Sequence, residues 1–132
     1  TFDLYYSAGY LGTLKIPALD LSVKVYQGTD SKTLAKGVGH FEETSIWNGN
    51  VALAAHNRGV NNYFGQIHTL EIGDKITLTT KLGTRTYKVT NVSKVSETDR
   101  SAMTPTGEDR IVLDTCVMNQ SAYRWCVQAT AV

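Results

Sequence analysis

The chain has 132 residues, 42% of them hydrophobic and 19% charged. That fits one folded domain with a real core and excludes disorder. Thirteen basic against twelve acidic residues leave a formal charge of +1, which excludes the basic footprint of a nucleic-acid binder.

Short strands separated by turn residues run through the chain. Leu11–Ile16 alternates in part and stops at Pro17. Leu21–Tyr26 alternates cleanly, with Leu21, Val23 and Val25 on one face, and ends at Gln27-Gly28. Ser31–Lys36 allows one helical turn capped by Asp30 or Ser31. Val51–Ala55 is a short apolar run of the kind a buried strand shows. Asn61–Leu70 carries Phe64, Ile67 and Leu70 at helix-like spacing, so a short helix is predicted there. Lys75–Thr79 alternates, Leu82-Gly83 turns, and Thr84–Val95 is rich in β-formers. Ser96–Asp109 is polar, holds Pro105 and Gly107, and has the length of a functional loop. Arg110–Cys116 and Tyr123–Val132 are the last strands. Seven or eight short strands at this spacing predict an all-β sandwich or small barrel. With no internal repeat or linker, residues 1–132 form a single domain.

Two cysteines, Cys116 and Cys126, are too few for a disulfide scaffold and form no CxxC. His40, His56 and His68 are scattered, so no zinc-ligand spacing emerges and no metal is expected. Cys116 closes the strand Ile111-Val-Leu-Asp-Thr-Cys116. A buried core cysteine is the plain reading; a nucleophile beside a loop is the sharper one, and needs a nearby base or cation. His56 also ends an apolar run and is followed by Asn57-Arg58-Gly59, as at a strand end opening onto a cleft. His40 and His68 read as structural or exposed. Turn formers lie between Cys116 and Arg124. A hairpin pairing the two would put a permanent cation on the thiol's face, able to donate to a developing oxyanion. Taken alone, Arg124 also reads as a surface ion-pair residue. Asp114 and Cys126 fall on the same face as Cys116 by alternation.

His, then Cys, then Arg at strand ends of an all-β domain resembles the sortases, cysteine transpeptidases of Gram-positive cell surfaces. The resemblance covers most of the chain. Gly12-Thr-Leu-Lys-Ile-Pro17, Leu21–Val25 and Gly37-Val-Gly-His40 are similar to the opening strands and the loop that follows. Ala52–Gly59 is similar to the histidine segment, and Tyr63-Phe-Gly65 with Leu70–Asp74 to the stretch after it. Val112-Leu-Asp-Thr-Cys116 is similar to the T-L-x-T-C motif, and Arg124 falls where the family's arginine is expected. Val112 replaces the motif's first threonine, Ala55 stands where glycine is frequent, and Asp114 puts an acid at the variable position. The 96–109 loop looks short for a class B insertion and no pilin-type lid precedes Tyr10, so class D is the lean among A, D and E.

The resemblance implies a closed barrel of about eight strands with one or two short helices. It implies transfer of an LPxTG-like sorting signal through a thioacyl enzyme on Cys116 to an amine of a cell-wall precursor or a pilin lysine. His56 would be the acid and base, Arg124 would hold substrate and oxyanion, and a backbone amide near Thr115 or Cys116 would assist. No cofactor is implied. Some class A members bind calcium; Glu42, Glu43, Glu97, Asp99 and Glu108 lie in expected loops, but solvated surface explains them as well. The implied place is the outer face of a Gram-positive cell membrane. The chain opens at Thr1 with neither a signal peptide nor an apolar run near the ~20 residues of a span, as a trimmed ectodomain would, so an N-terminal anchor is expected outside it. The alternatives are a cysteine peptidase of another family and a non-catalytic peptide-binding β-domain. Papain-like enzymes place the cysteine before the histidine, the reverse of this order.

Overall fold

The computed structural model describes residues 9–28, 37–41, 44, 46, 47, 49–55, 64, 66–96, 109–117 and 120–132, and for 116, 117 and 120–123 the backbone only. Eight strands close a barrel in these residues: β1 (Gly12–Ile16), β2 (Leu21–Gln27), β3 (Val38–His40), β4 (Asn50–Ala54), β5 (Lys75–Thr80), β6 (Gly83–Ser96), β7 (Arg110–Val117) and β8 (Gln120–Ala131). Around the barrel the order is β1-β2-β3-β4-β7-β8-β6-β5, closed by β1 on β5. The pairs β2–β3 and β4–β7 are parallel; the others are antiparallel.

The strands expected from alternation are all present. β3 is the added one, three residues that carry no readable period. The short helix expected over 61–70 is, among the described residues, a single 3-10 turn at Ile67–Thr69. Phe64, Ile67 and Leu70 still face the core, because a spacing of three is the period of a 3-10 turn. A second 3-10 turn, Pro17–Leu19, follows β1. The helical turn expected at 31–36 lies outside the described residues.

Inward-facing residues of every strand fill the barrel: Leu14, Ile16, Val25, Val38, Val51, Leu53, Ile76, Leu78, Tyr87, Ile111, Leu113 and Val127 are all buried in one cluster. Two glycines serve close packing. A methyl group at Gly12 would run into the Thr79 carbonyl of β5. Gly83, at φ 137°, leaves the two-residue turn after β5 in a conformation that L side chains rarely adopt, with the Trp47 ring 3.5 Å from where a Cβ would sit.

The end of the barrel where β7 begins is clamped by Arg85. Its guanidinium lies 4.3 Å from the centre of the Trp47 ring, donates to the Trp47 carbonyl at 2.9 Å, and meets Asp109 at 3.5 Å. Asp109 in turn accepts from the Gly49 amide at 2.8 Å. Beneath the clamp the buried Tyr87 hydroxyl lies beside Arg85, without a hydrogen bond of standard geometry. Burial pushes the Tyr87 phenol above its usual value, and Arg85 offsets part of that. Above about pH 10 the unfolded chain therefore holds fewer protons at this site than the folded one, so stability falls as pH rises. Tyr87→Phe should leave the neutral-pH melting temperature within a few degrees and flatten this alkaline decline, as read by thermal melts from pH 7 to 11.

Candidate active site

Strand alternation gives β4, β7 and β8 a second set of side chains on the outside of the barrel. Ala52, Val112 and Cys126 form a small apolar cluster there, covered in part by Phe41 and Val95. The register orders this face in rows. Ala52 pairs with Val112 and Val112 with Gln128. In the next row Ala54 pairs with Asp114 and Asp114 with Cys126. In the row after that, Cys116 pairs with Arg124, and Arg124 with Val95 of β6.

The expected hairpin pairing of Cys116 with Arg124 is therefore the observed register, and Asp114 and Cys126 occupy the same-face positions one row away. Asp114 is 6% exposed and Cys126 is 3% exposed. A buried acid on this row sits between two small neighbours, Ala54 and Cys126. Arg124 is half-buried at the exit of the apolar patch. The adjacent Trp125 turns to the other face, packs against the core and stacks on His68 with ring centres 5.1 Å apart, which pins β8 at the level of Arg124.

Thr115 points away from this row. Its hydroxyl donates to the Ala55 carbonyl at 2.7 Å, and the side chain is buried. That bond ties the exit of β4 to the exit of β7. His56 lies outside the described residues; the last residue of β4, Ala54, stands two positions before it and opposite Asp114, itself two positions before Cys116. A guanidinium on the row of a thiol favours the thiolate and can donate to an oxyanion in a fork geometry.

Sequence reasoning missed two residues that shape this face. Phe41 and Thr44 follow β3, and no periodicity marks them. Thr44 accepts a hydrogen bond from the Ala52 amide at 3.2 Å, so it belongs to the edge of β4 rather than to a loop. Of the other histidines, His40 is buried and His68 exposed. Among the described residues no three His, Cys, Asp or Glu side chains are grouped as metal ligands. The acidic residues considered for calcium all lie outside the described residues. Nor is any described helix long and apolar enough to cross a membrane. A depression lined by Lys15, Pro17, Asp20, Leu21 and Ser22 lies at the β1–β2 connection and shares no residue with this face.

Comparison with known proteins agrees with the barrel and extends it. The Sortase domain family model matches residues 14–132. Sortase D of Bacillus subtilis is 32% identical over 108 residues, covering 80% of this chain and 53% of the relative. Sortase A of Bacillus anthracis is 34% identical over 109 residues, covering 81% and 52% respectively. The chain thus spans about half the length of these relatives. Among solved structures, Sortase C2 of Pilus Island 1 from Group B Streptococcus superposes with a TM-score of 0.90 at 26% identity, covering 98% of this chain and 77% of that one. A match over nearly the whole domain, with the barrel and the order of its strands, means that this chain belongs to the sortase family.

Proposed function

We propose that this chain is the catalytic domain of a cysteine transpeptidase that cleaves an LPxTG-like sorting signal and passes the acyl group to an amine. The register that pairs Cys116 with Arg124 on the outer face of the barrel carries this reading. The Cys116 thiolate attacks the carbonyl of the signal's threonine. The negative charge that develops on the carbonyl oxygen is met by the Arg124 guanidinium and a backbone amide near Thr115 or Cys116. Collapse breaks the peptide bond, and His56 gives a proton to the leaving amine. A thioester remains on Cys116. An incoming amine attacks it, His56 takes the proton, and the Cys116 thiolate is released. The acceptor is an amine of a peptidoglycan precursor or a pilin lysine; the pilus-island sortase among the similar structures supports the second. The enzyme works on the outer face of a Gram-positive membrane and needs no cofactor. The relatives carry the letters A, C and D, and the 96–109 stretch is short for a class B insertion.

A peptide-library cleavage assay read by mass spectrometry, with and without added amines, tests the activity. Cleavage at a sorting signal and amine-dependent ligation are expected; hydrolysis at unrelated sites, or none at all, refutes the proposal. Cys116→Ala should abolish turnover while Cys126→Ser keeps most of it. Equal loss in both would mean that the wrong thiol has been assigned.

Arg124 separates two roles. A residue that only balances surface charge tolerates lysine with little change. One that grips the peptide and the oxyanion through its planar fork does not. Arg124→Lys is expected to lower kcat/KM by about 10²–10³, the loss typical of one oxyanion donor, with an unchanged circular dichroism spectrum.

Asp114 offers a test of the site's electrostatics. An anion on the next row disfavours the thiolate unless a cation neutralises it. Asp114→Asn should move the alkylation midpoint of the Cys116 thiol to lower pH or leave it in place. A midpoint that moves to higher pH would contradict the assigned geometry.

A further inference from the structure

Three hydrogen bonds meet at one hydroxyl between β3 and β4. Thr44 Oγ1 donates to the Phe41 carbonyl at 2.8 Å, accepts from the Ala52 amide at 3.2 Å, and lies 3.2 Å from Nε2 of His40. A hydroxyl has one proton and two lone pairs. Nδ1 of the His40 ring faces the acceptor oxygen Oε1 of Gln27 on β2 and so carries the proton of the neutral imidazole; Nε2 then accepts, and the Thr44 hydroxyl proton is shared between Phe41 O and Nε2 while a lone pair takes the Ala52 amide. His40 is 2% exposed, so its ring bridges β2 to Thr44 inside the protein.

This arrangement stands where a strand runs out. β3 ends at His40, opposite Leu53. One residue further back along β4, Ala52 is fully buried and its backbone groups need partners. The Phe41 amide takes the Ala52 carbonyl at 3.0 Å and the Thr44 hydroxyl takes the Ala52 amide. The same turn sets Phe41 against Ala52, Val112 and Cys126 on the outer face, one row from Asp114 and two from Cys116.

We propose that His40 is a positioning residue for substrate binding, fixing Phe41 through Thr44 as an apolar wall of the peptide-binding face beside Cys116. The inference rests on the transpeptidase reading for its substrate. The rigid ring passes the position of β2 to the Thr44 hydroxyl, and the hydroxyl passes it to the turn that carries Phe41. The thiol itself is untouched, so the effect belongs to KM and not to the chemical step.

Steady-state kinetics on a sorting-signal peptide would test this with His40→Phe, Thr44→Val, Thr44→Ser and Phe41→Ala. Losing the hydrogen bonds or the wall should raise KM about tenfold while kcat stays within about twofold, and Thr44→Ser, which keeps the hydroxyl, should behave as wild type. The rate of Cys116 alkylation should be the same in all four. Unchanged KM in Thr44→Val or Phe41→Ala overturns the proposal, as does a Thr44→Ser variant as impaired as Thr44→Val. Should His40→Phe fail to fold, the Thr44 pair and Phe41→Ala still decide. If the wild-type protein turns over no peptide although Cys116 alkylates normally, it is the transpeptidase reading that fails. Exchange of the Ala52 amide then decides the clip: it should speed up about 100-fold in Thr44→Val and not in Thr44→Ser. Equal protection in both overturns the clip.

Discussion

The parallel pairing of β4 with β7 is the constraint on which the proposed chemistry depends. Ala54, the last residue of β4, stands opposite Asp114; in the sequence His56 follows Ala54 by two positions, and Cys116 follows Asp114 by two along β7. A slip of one residue would turn Asp114 to the other face and bring Thr115 out. Two features resist it. Val51, Leu53, Ile111 and Leu113 fill the barrel only in this register. The Thr115 hydroxyl then fastens the strand exits through Ala55. The residue next to the proposed nucleophile thus acts through its side chain as a structural latch.

The antiparallel partner β8 completes the row. Arg124 reaches it from across the hairpin, and the neighbouring Trp125, stacked on His68, holds the strand from the other side of the sheet. A guanidinium on a flexible stem is useful only where its backbone is fixed, and here two faces of one strand share that task.

Much of this was legible in the sequence, for a physical reason. Strands with one face in the core alternate, so β1, β2, β5 and β6 show themselves, and β4 and β7 read as short apolar runs because both of their faces are covered. The pairing of Cys116 with Arg124 could be counted from the turn formers between them. β3 was invisible because three residues with a central glycine have no period, and its parallel pairing with β2 leaves no hairpin signal. The role of Thr44 was invisible for a related reason. A side chain that replaces a missing strand is defined by where the neighbouring strand stops, not by its own neighbours. The 61–70 segment shows a milder failure: the spacing correctly marked what is buried but not the length of the turn. For His56, the sequence order remains the ground of its assignment.

Closure of the barrel has a consequence for how a peptide can be recognised. Among the described residues every strand in the ring has two neighbours, and the ladder is open only where the short β3 stops, beside Asn50–Ala52 of β4 and residues 21–24 of β2. A main-chain ladder is thereby confined to these short stretches. In the proposed reaction the peptide lies across the wall, where the small buried Ala52 and Ala54 are flanked by the larger Phe41 and Val95. Selectivity then resides in side-chain shape and charge, and a few surface substitutions can retune it without disturbing the sheet.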